Sequence, residues 1–235
     1  MKVLIVHAHP EPASYTSTLQ RIACEHFRQR GDEVEISDLY AMNFNPVAST
    51  EDFTQRANPD YLVYALEQRH AFEQGALQTD IQREIDKIQR CDLLILSFPV
   101  YWYSMPAILK GWLDRVFISG LFYGGRRIFE RGGMRGKRAL VCATLGGREK
   151  MFSAEGIHDD LHDLFRPLLK GTLGYTGFDV LTPFFAYHVP YIDDAARQGI
   201  IEDWRQVLSE VEARETLPMP ETTSYNANLE SRISQ

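Results

Sequence analysis

Cysteine is scarce in this chain of 235 residues, which contains only Cys24, Cys91 and Cys142. Their number is odd, their spacing matches no metal site, and each stands in an apolar stretch. We therefore interpret all three as buried free thiols and expect no bound metal. Free thiols are typical of a reducing compartment, so we predict a cytoplasmic location.

Long apolar runs and an excess of basic residues are also missing. No stretch approaches the roughly 18 apolar residues of a membrane helix, and the run at residues 2–6 is too short for a signal peptide. We therefore expect no membrane insertion. A net charge of −7 and a pI of about 5.5 argue against nucleic acid as a partner.

The hydrophobic content of 44% is sufficient for one large α/β domain. We place that domain at residues 1–215 and interpret the polar, turn-rich residues 216–235 as an extended C-terminal tail. Within the domain, five strand-like segments alternate with stretches of helical spacing; they lie at residues 2–6, 33–37, 92–98, 138–144 and 180–187.

This alternation is typical of a doubly wound parallel sheet with helices on both faces. The expected order of the five strands is 2-1-3-4-5. That order puts strand 1 beside strand 3, at the point where the chain reverses direction across the sheet and where ligands bind in such folds.

The loop after strand 1 is polar and opens a helix; its candidate binding residues are His9, Ser14, Tyr15 and Thr16. Hydroxyls and backbone N–H groups at a helix start suit phosphate. The loop lacks the glycine signature of many dinucleotide-binding folds, and the same residues also fit a plain helix cap.

The loop after strand 3 is aromatic and consists of Pro99, Val100, Tyr101, Trp102 and Tyr103. Aromatic faces suit a flat ring, although a core plug or a dimer contact has the same composition. Since the two loops are expected to meet, they predict a planar anionic cofactor, which we interpret as a flavin.

The segment after strand 4 contains two glycines in the run Thr144, Leu145, Gly146 and Gly147. Glycine lets a backbone approach a ring closely. A simple strand-end turn explains the same pattern equally well.

Several stretches resemble the NAD(P)H:quinone oxidoreductases of the DT-diaphorase type. They are SDLYAMNFNP at 37–46, Phe98-Pro99 with Trp102, PAILKGW at 106–112, RVFI at 115–118 and GIH at 156–158. The similarity runs from about Lys2 to Trp204. It implies a flavodoxin-like fold, bound FAD rather than FMN, a homodimer with shared active sites, and two-electron reduction of quinones by NAD(P)H.

The resemblance also implies a ping-pong mechanism, in which nicotinamide donor and quinone use one cavity in turn. Two other roles stay open for this fold. One is a regulatory flavoprotein subunit of a potassium-efflux system, and the other is an electron carrier that uses FMN. A carrier needs an exposed ring edge, so the aromatic cavity argues against it.

Functional residues follow from the same resemblance. His158 is expected to be catalytic, as a donor that stabilises negative charge on the reduced flavin. Phe152 and Arg197 are expected to contact FAD together with the three loops described above. The substrate cavity is expected to be walled by Trp102, Tyr103, Tyr123, Ile128 and Tyr175, the last three coming from the second subunit.

The chain departs from the family pattern at several of these positions. Family members pair the histidine with a tyrosine six residues earlier, where this chain has Phe152. Because that hydroxyl is missing, we expect His158 to act alone or with a water. Gly125 stands where the family has a second cavity tyrosine, and Tyr191 stands where it has a histidine, which predicts a differently shaped pocket.

Overall fold

A computed structural model of the protein describes residues 1–232. Its centre is one parallel sheet in the order β2-β1-β3-β4-β5, with β6 also paired to β4. The predicted order is confirmed. The strands are β1 Lys2–His7, β2 Glu33–Asp38, β3 Leu93–Pro99, β4 Arg138–Thr144, β5 Asp179–Val180 and β6 Phe184–Ala186.

The last position in the sheet differs from the prediction, because the expected strand at residues 180–187 is two short segments. Leu181 still donates its N–H to the carbonyl of Ala139 at 2.8 Å, but the Thr182 N–H donates to the carbonyl of Glu215 at 2.9 Å. Pro183 follows and has no N–H to continue the ladder. The interruption therefore has two causes, the missing N–H of Pro183 and the hydrogen bond to the distant Glu215.

Within residues 1–232, seven α-helices accompany the sheet. Ser14 caps α1 by accepting the N–H of Ser17, and Asp193 caps α7 by accepting that of Ala196. The break between α5 and α6 falls at Phe165, and Pro167 lies in the first turn of α6, where a missing N–H is tolerated. The helices are α1 Tyr15–Gln29, α2 Tyr64–Gln74, α3 Thr79–Arg90, α4 Ala107–Val116, α5 Leu161–Leu164, α6 Arg166–Leu168 and α7 Asp194–Ser209.

The two faces of the sheet bury two separate cores. Val3 and Ile5 of β1 face one core, with Leu19 of α1 and Trp204 of α7. Alternate residues of β1 face the other core, which contains the apolar sides of α3 and α4. Helices on both faces are therefore confirmed.

The chain reverses its direction across the sheet between β1 and β3. These strands are direct neighbours, with Ile5 opposite Ile95 and His7 opposite Ser97. The helix after β1 packs on one face and the helix after β3 on the other. Because their loops diverge, a crevice opens at the carboxyl ends of the two strands.

The chain after α7 lies against the domain over the described residues 216–232. The Leu217 N–H donates to the carbonyl of Val180 at 2.8 Å. Thr222 is buried and donates both its N–H and its hydroxyl to the carboxylate of Glu130. Residues 216–232, which belong to the tail expected from the sequence, thus lie along the edge of the sheet. Residues 233–235 lie outside the described residues.

Candidate active site

A cleft of about 580 Å³ lies at the carboxyl ends of β1, β3 and β4. It joins the three predicted loops, although they are distant in the sequence, and continues to the start of α7. Its walls are formed by His9, Ala13, Ser14, Tyr15, Thr16, Thr18, Pro99, Val100, Tyr101, Thr144, Leu145, Gly146, Val189, Pro190 and Arg197.

The N-terminus of α1 forms one end of the cleft. The N–H groups of Tyr15 and Thr16 have no acceptor within residues 1–232, as expected for the first turn of a helix. The Ser14 hydroxyl is already in use, because it accepts the Ser17 N–H at 3.1 Å. Ser14 is therefore a helix cap that also borders the cleft, and the free donors there belong to the backbone.

His9 stands beside this helix start. Its Nδ1 accepts the Glu11 N–H at 3.0 Å, which leaves Nε2 to carry the proton of the neutral ring. Burial lowers the pKa of His9 below its usual value. At neutral pH the side chain is thus an uncharged donor.

A buried histidine that sequence reasoning missed supports the loop from below. His7 Nδ1 lies 3.1 Å from the Ser97 hydroxyl, and its Nε2 lies 3.0 Å from the Ser17 hydroxyl. Burial lowers the pKa of His7 to about 4. This neutral ring links β1, β3 and α1 through its hydrogen bonds. In the sequence, the polar residues His7 and Ser97 at the ends of two apolar strands are the feature that could have indicated it.

The aromatic loop makes a tight turn beside the cleft. Tyr101 and Ser104 exchange backbone hydrogen bonds of 2.9 and 3.0 Å, and the two residues between them have positive φ angles of 48° and 60°. Tyr101 lines the cleft, whereas the Trp102 and Tyr103 side chains do not. Trp102 is 94% exposed.

The segment after β4 contributes a hydroxyl and open backbone. Thr144 and Thr16 place their hydroxyl oxygens 2.7 Å apart across the cleft floor. Gly146 borders the cleft. Gly147 instead packs on Phe152, since a Cβ at Gly147 would lie 2.4 Å from that ring. Gly147 and Phe152 therefore support the site without lining the cleft.

His158 belongs to an aromatic cluster next to these residues and does not line the cleft itself. Its Nδ1 lies 2.9 Å from the Tyr103 hydroxyl. Its ring centroid is 4.9 Å from that of Phe152 and 5.6 Å from that of Tyr103. His158, the predicted catalytic residue, is half-buried and lies within hydrogen-bond distance of a hydroxyl from the aromatic loop.

The start of α7 closes the far end of the cleft. Arg197 donates to Asp194 at 2.9 Å, and the Tyr15 hydroxyl donates to the Arg197 carbonyl at 2.5 Å. Burial raises the pKa of Tyr15 to about 12. Val189 and Pro190 extend this wall, and sequence reasoning missed both because no motif marks them.

The remaining predicted substrate residues lie elsewhere on the chain. Tyr123 and Tyr175, with rings 5.7 Å apart, line a second depression of about 730 Å³ that shares no residue with the cleft. Ile128, which follows Tyr123 closely in the sequence, is buried. A single chain does not bring these three residues to the cleft.

Three further properties of the described residues concern metals, membranes and cysteines. In the described part of the chain, no three His, Cys, Asp or Glu side chains gather where they could hold a metal ion. None of the helices in that part combines the length and apolar character needed to cross a membrane. The three cysteines are buried and unpaired.

The chemistry of the cleft fits a flavin. The loops after β3 and β4, which border the cleft, contain four backbone N–H groups without an acceptor within residues 1–232, those of Trp102, Tyr103, Gly146 and Gly147, and Gly146 lines the cleft itself. Such donors match the polar edge of an isoalloxazine, and the free donors at α1 match a phosphate. The volume is also in the range of small-molecule sites.

A doubly wound sheet with a crevice of this kind defines the flavodoxin-like class. Residues 1–208 match the family model described as Flavodoxin-like fold, and the chain belongs to this family.

Its relatives include the ribosyldihydronicotinamide dehydrogenase (quinone) of Pongo abelii, 39% identical over 92% of this chain and 94% of the relative. NAD(P)H dehydrogenase (quinone) 1 of Rattus norvegicus is 35% identical over 98% of this chain and 84% of the relative. A Klebsiella pneumoniae structure, provisionally assigned as a quinone reductase, is 33% identical with a TM-score of 0.94, covering 99% of this chain and 94% of that one.

Proposed function

We propose that the protein is a flavin-dependent oxidoreductase that reduces quinones with a dihydronicotinamide donor. The observation that supports this proposal is one cleft bordered both by the start of α1, with its free N–H groups, and by the loops after β3 and β4, which contain further free N–H groups. Relatives that match nearly the whole chain are quinone dehydrogenases by name.

A bound flavin would accept two electrons as a hydride and deliver them to the quinone. The residues of the chain would bind and orient it. Tyr15 and Thr16 would hold phosphate with their N–H groups, assisted by the positive end of the α1 dipole. Tyr101 and Gly146 would border the ring.

FAD is the proposed form of the flavin. The cleft continues past the phosphate end of α1 to Val189, Pro190 and Arg197. This extension gives room for the adenosine half of a dinucleotide, which FMN lacks. Acid extraction and chromatography of the released flavin test the choice directly, with FAD expected. Recovery of FMN would contradict it.

A homodimer completes the proposed site. Tyr123, Ile128 and Tyr175 lie outside the cleft of their own chain, so a second subunit would have to supply them. Large apolar side chains around the cleft support an interface, since Trp102 is 94% exposed and Ile157 82%. We also infer the cytoplasm as location, which the buried free thiols support.

The activity test is a steady-state assay with a small quinone. NADH, NADPH and N-ribosyldihydronicotinamide are compared as donors, because the names of the relatives differ on this substrate. If both substrates use the cleft in turn, double-reciprocal plots give parallel lines. Intersecting lines contradict the shared cavity, and a stable one-electron flavin species on redox titration favours a carrier instead.

His158 is the proposed catalytic residue. We expect His158→Gln to slow flavin reduction by the donor about 10- to 100-fold in stopped flow, because the imidazole that donates to the developing charge is replaced by an amide that cannot take its position or accept a proton. His162→Gln is the matched control, since His162 is exposed four residues further along. An unchanged rate in His158→Gln removes His158 from the reaction.

A further inference from the structure

The fold joins two side chains that are 55 residues apart in the sequence. The Tyr103 hydroxyl and His158 Nδ1 are 2.9 Å apart, and this is the one side-chain hydrogen bond of His158 within residues 1–232. Phe152 packs against both rings, at 4.9 Å from His158 and 6.5 Å from Tyr103. Since Phe152 has no hydroxyl, the polar contact of the cluster comes from the aromatic loop.

The backbone on each side holds this contact in place. Trp102 and Tyr103 both adopt left-handed conformations, which bulky L residues avoid. On the other side, the His158 N–H donates to the Met151 carbonyl at 2.9 Å, and Asp159 is left-handed with a φ of 61°. Such conformations persist only where the surrounding structure holds them.

Two directions are possible for this hydrogen bond, and one of them leaves the phenolic proton without a protein partner in the described part of the chain. A neutral imidazole accepts at one nitrogen and donates at the other. If Nδ1 donated to Tyr103, the phenolic proton would have no acceptor among the described residues. If Tyr103 donates to Nδ1, the phenol is satisfied and Nε2–H is left as the single free donor of the ring.

We infer that Tyr103 is the positioning residue of His158. Its hydroxyl donates to Nδ1, fixes the orientation of the ring, and selects the tautomer whose Nε2–H serves as donor. The role that a hydroxyl at Phe152 would have is thus supplied from a different loop. The catalytic consequence rests on the proposed function, whereas the hydrogen bond itself does not.

The first test is nitrogen NMR on the purified protein labelled with ¹⁵N-histidine. His158 signals are assigned by their loss in His158→Gln. Wild-type Nδ1 is expected to be unprotonated and shifted by an accepted hydrogen bond, and Tyr103→Phe moves its resonance to that of an unbonded nitrogen. Tyr187→Phe is the control, because Tyr187 packs on Phe152 without bonding His158. A protonated Nδ1, or no shift in Tyr103→Phe, overturns the inference.

The second test is a double-mutant cycle on the rate of flavin reduction. Tyr103→Phe is expected to slow the wild-type reaction about tenfold, the loss of one hydrogen bond, and to leave the rate of His158→Gln unchanged. Equal slowing in both backgrounds would mean that Tyr103 acts independently and overturns the inference. If the protein reduces no quinone, the proposed function fails while the NMR result still decides the contact.

Discussion

At the scale of single residues, the site depends on buried polar groups that satisfy one another. His7 links Ser97 to Ser17, and Thr16 meets Thr144. None of these side chains is charged, so each stays inside the fold without the large desolvation penalty of an ion. His7, Ser17 and Ser97 do not line the cleft and support the loops that do, whereas Thr16 and Thr144 line it themselves.

We expect His7 to make the stability of the protein depend on pH. In the unfolded chain it takes up a proton near pH 6.5, but in the fold it stays neutral down to about pH 4. Above pH 6.5 it has no effect. As the pH falls toward 4, the unfolded state is favoured and the free energy of unfolding drops by about 3 kcal/mol.

Urea unfolding at pH 7.5 and pH 4.5 measures this drop. The same measurement is made on His7→Gln. In this variant the free energy of unfolding should fall much less between pH 7.5 and pH 4.5, because most of the drop is lost with the histidine. His162→Gln, at an exposed position, should behave like wild type. A pH dependence that persists in full in His7→Gln would contradict the role of His7.

At the scale of elements, the first turn of α1 has two functions that a pair of variants can separate. The Ser14 hydroxyl caps the helix, while the N–H groups of Tyr15 and Thr16 remain free for a ligand. Ser14→Ala removes the cap and should lower the free energy of unfolding by about 1 kcal/mol.

Ser14→Asp keeps a cap, because Asp is as good an N-cap as Ser, but it puts a negative charge where phosphate is proposed to bind. We expect near wild-type stability with a lower flavin content after purification. Denaturant titration and the flavin-to-protein absorbance ratio measure the two effects. A full flavin content in Ser14→Asp would contradict a phosphate site at this helix end.

The elements also show how far sequence patterns reach. The 2-1-3-4-5 order, the capped helix after β1 and the helix break just before Pro167 are all predictable, because each follows from periodicity or from one residue's backbone chemistry. The split of the last strand was missed. Its cause includes a carbonyl of Glu215 from outside the strand, and nothing near residue 182 indicates that contact.

At the scale of the whole molecule, the C-terminal segment stabilises the domain from its edge. Leu217 bonds to β5, Met219 packs on Gly174, and Thr222 bonds to Glu130. We expect truncation after residue 215 to lower the free energy of unfolding by about 2 kcal/mol, through lost apolar burial and hydrogen bonds. Thermal unfolding should show a Tm lower by roughly 5 °C.

A shorter truncation provides the control. Removal of residues 226–235 keeps the contacts of Leu217, Met219 and Thr222, so its Tm should stay close to that of the full chain. An equal Tm for all three proteins would show that the segment adds no stability.

The sequence by itself determined the strands, the helices and the two loops that border the cleft, because these depend on the spacing of apolar residues and on caps within a few positions. Only the tertiary structure decided which side chains meet across the chain. It placed the side chains of Trp102 and Tyr103 outside the cleft lining, brought His7 under the loop after β1, and joined Tyr103 to His158. Such contacts depend on how β1, β3 and β4 pair and on turns with left-handed residues, and sheet pairing joins residues that no local pattern relates.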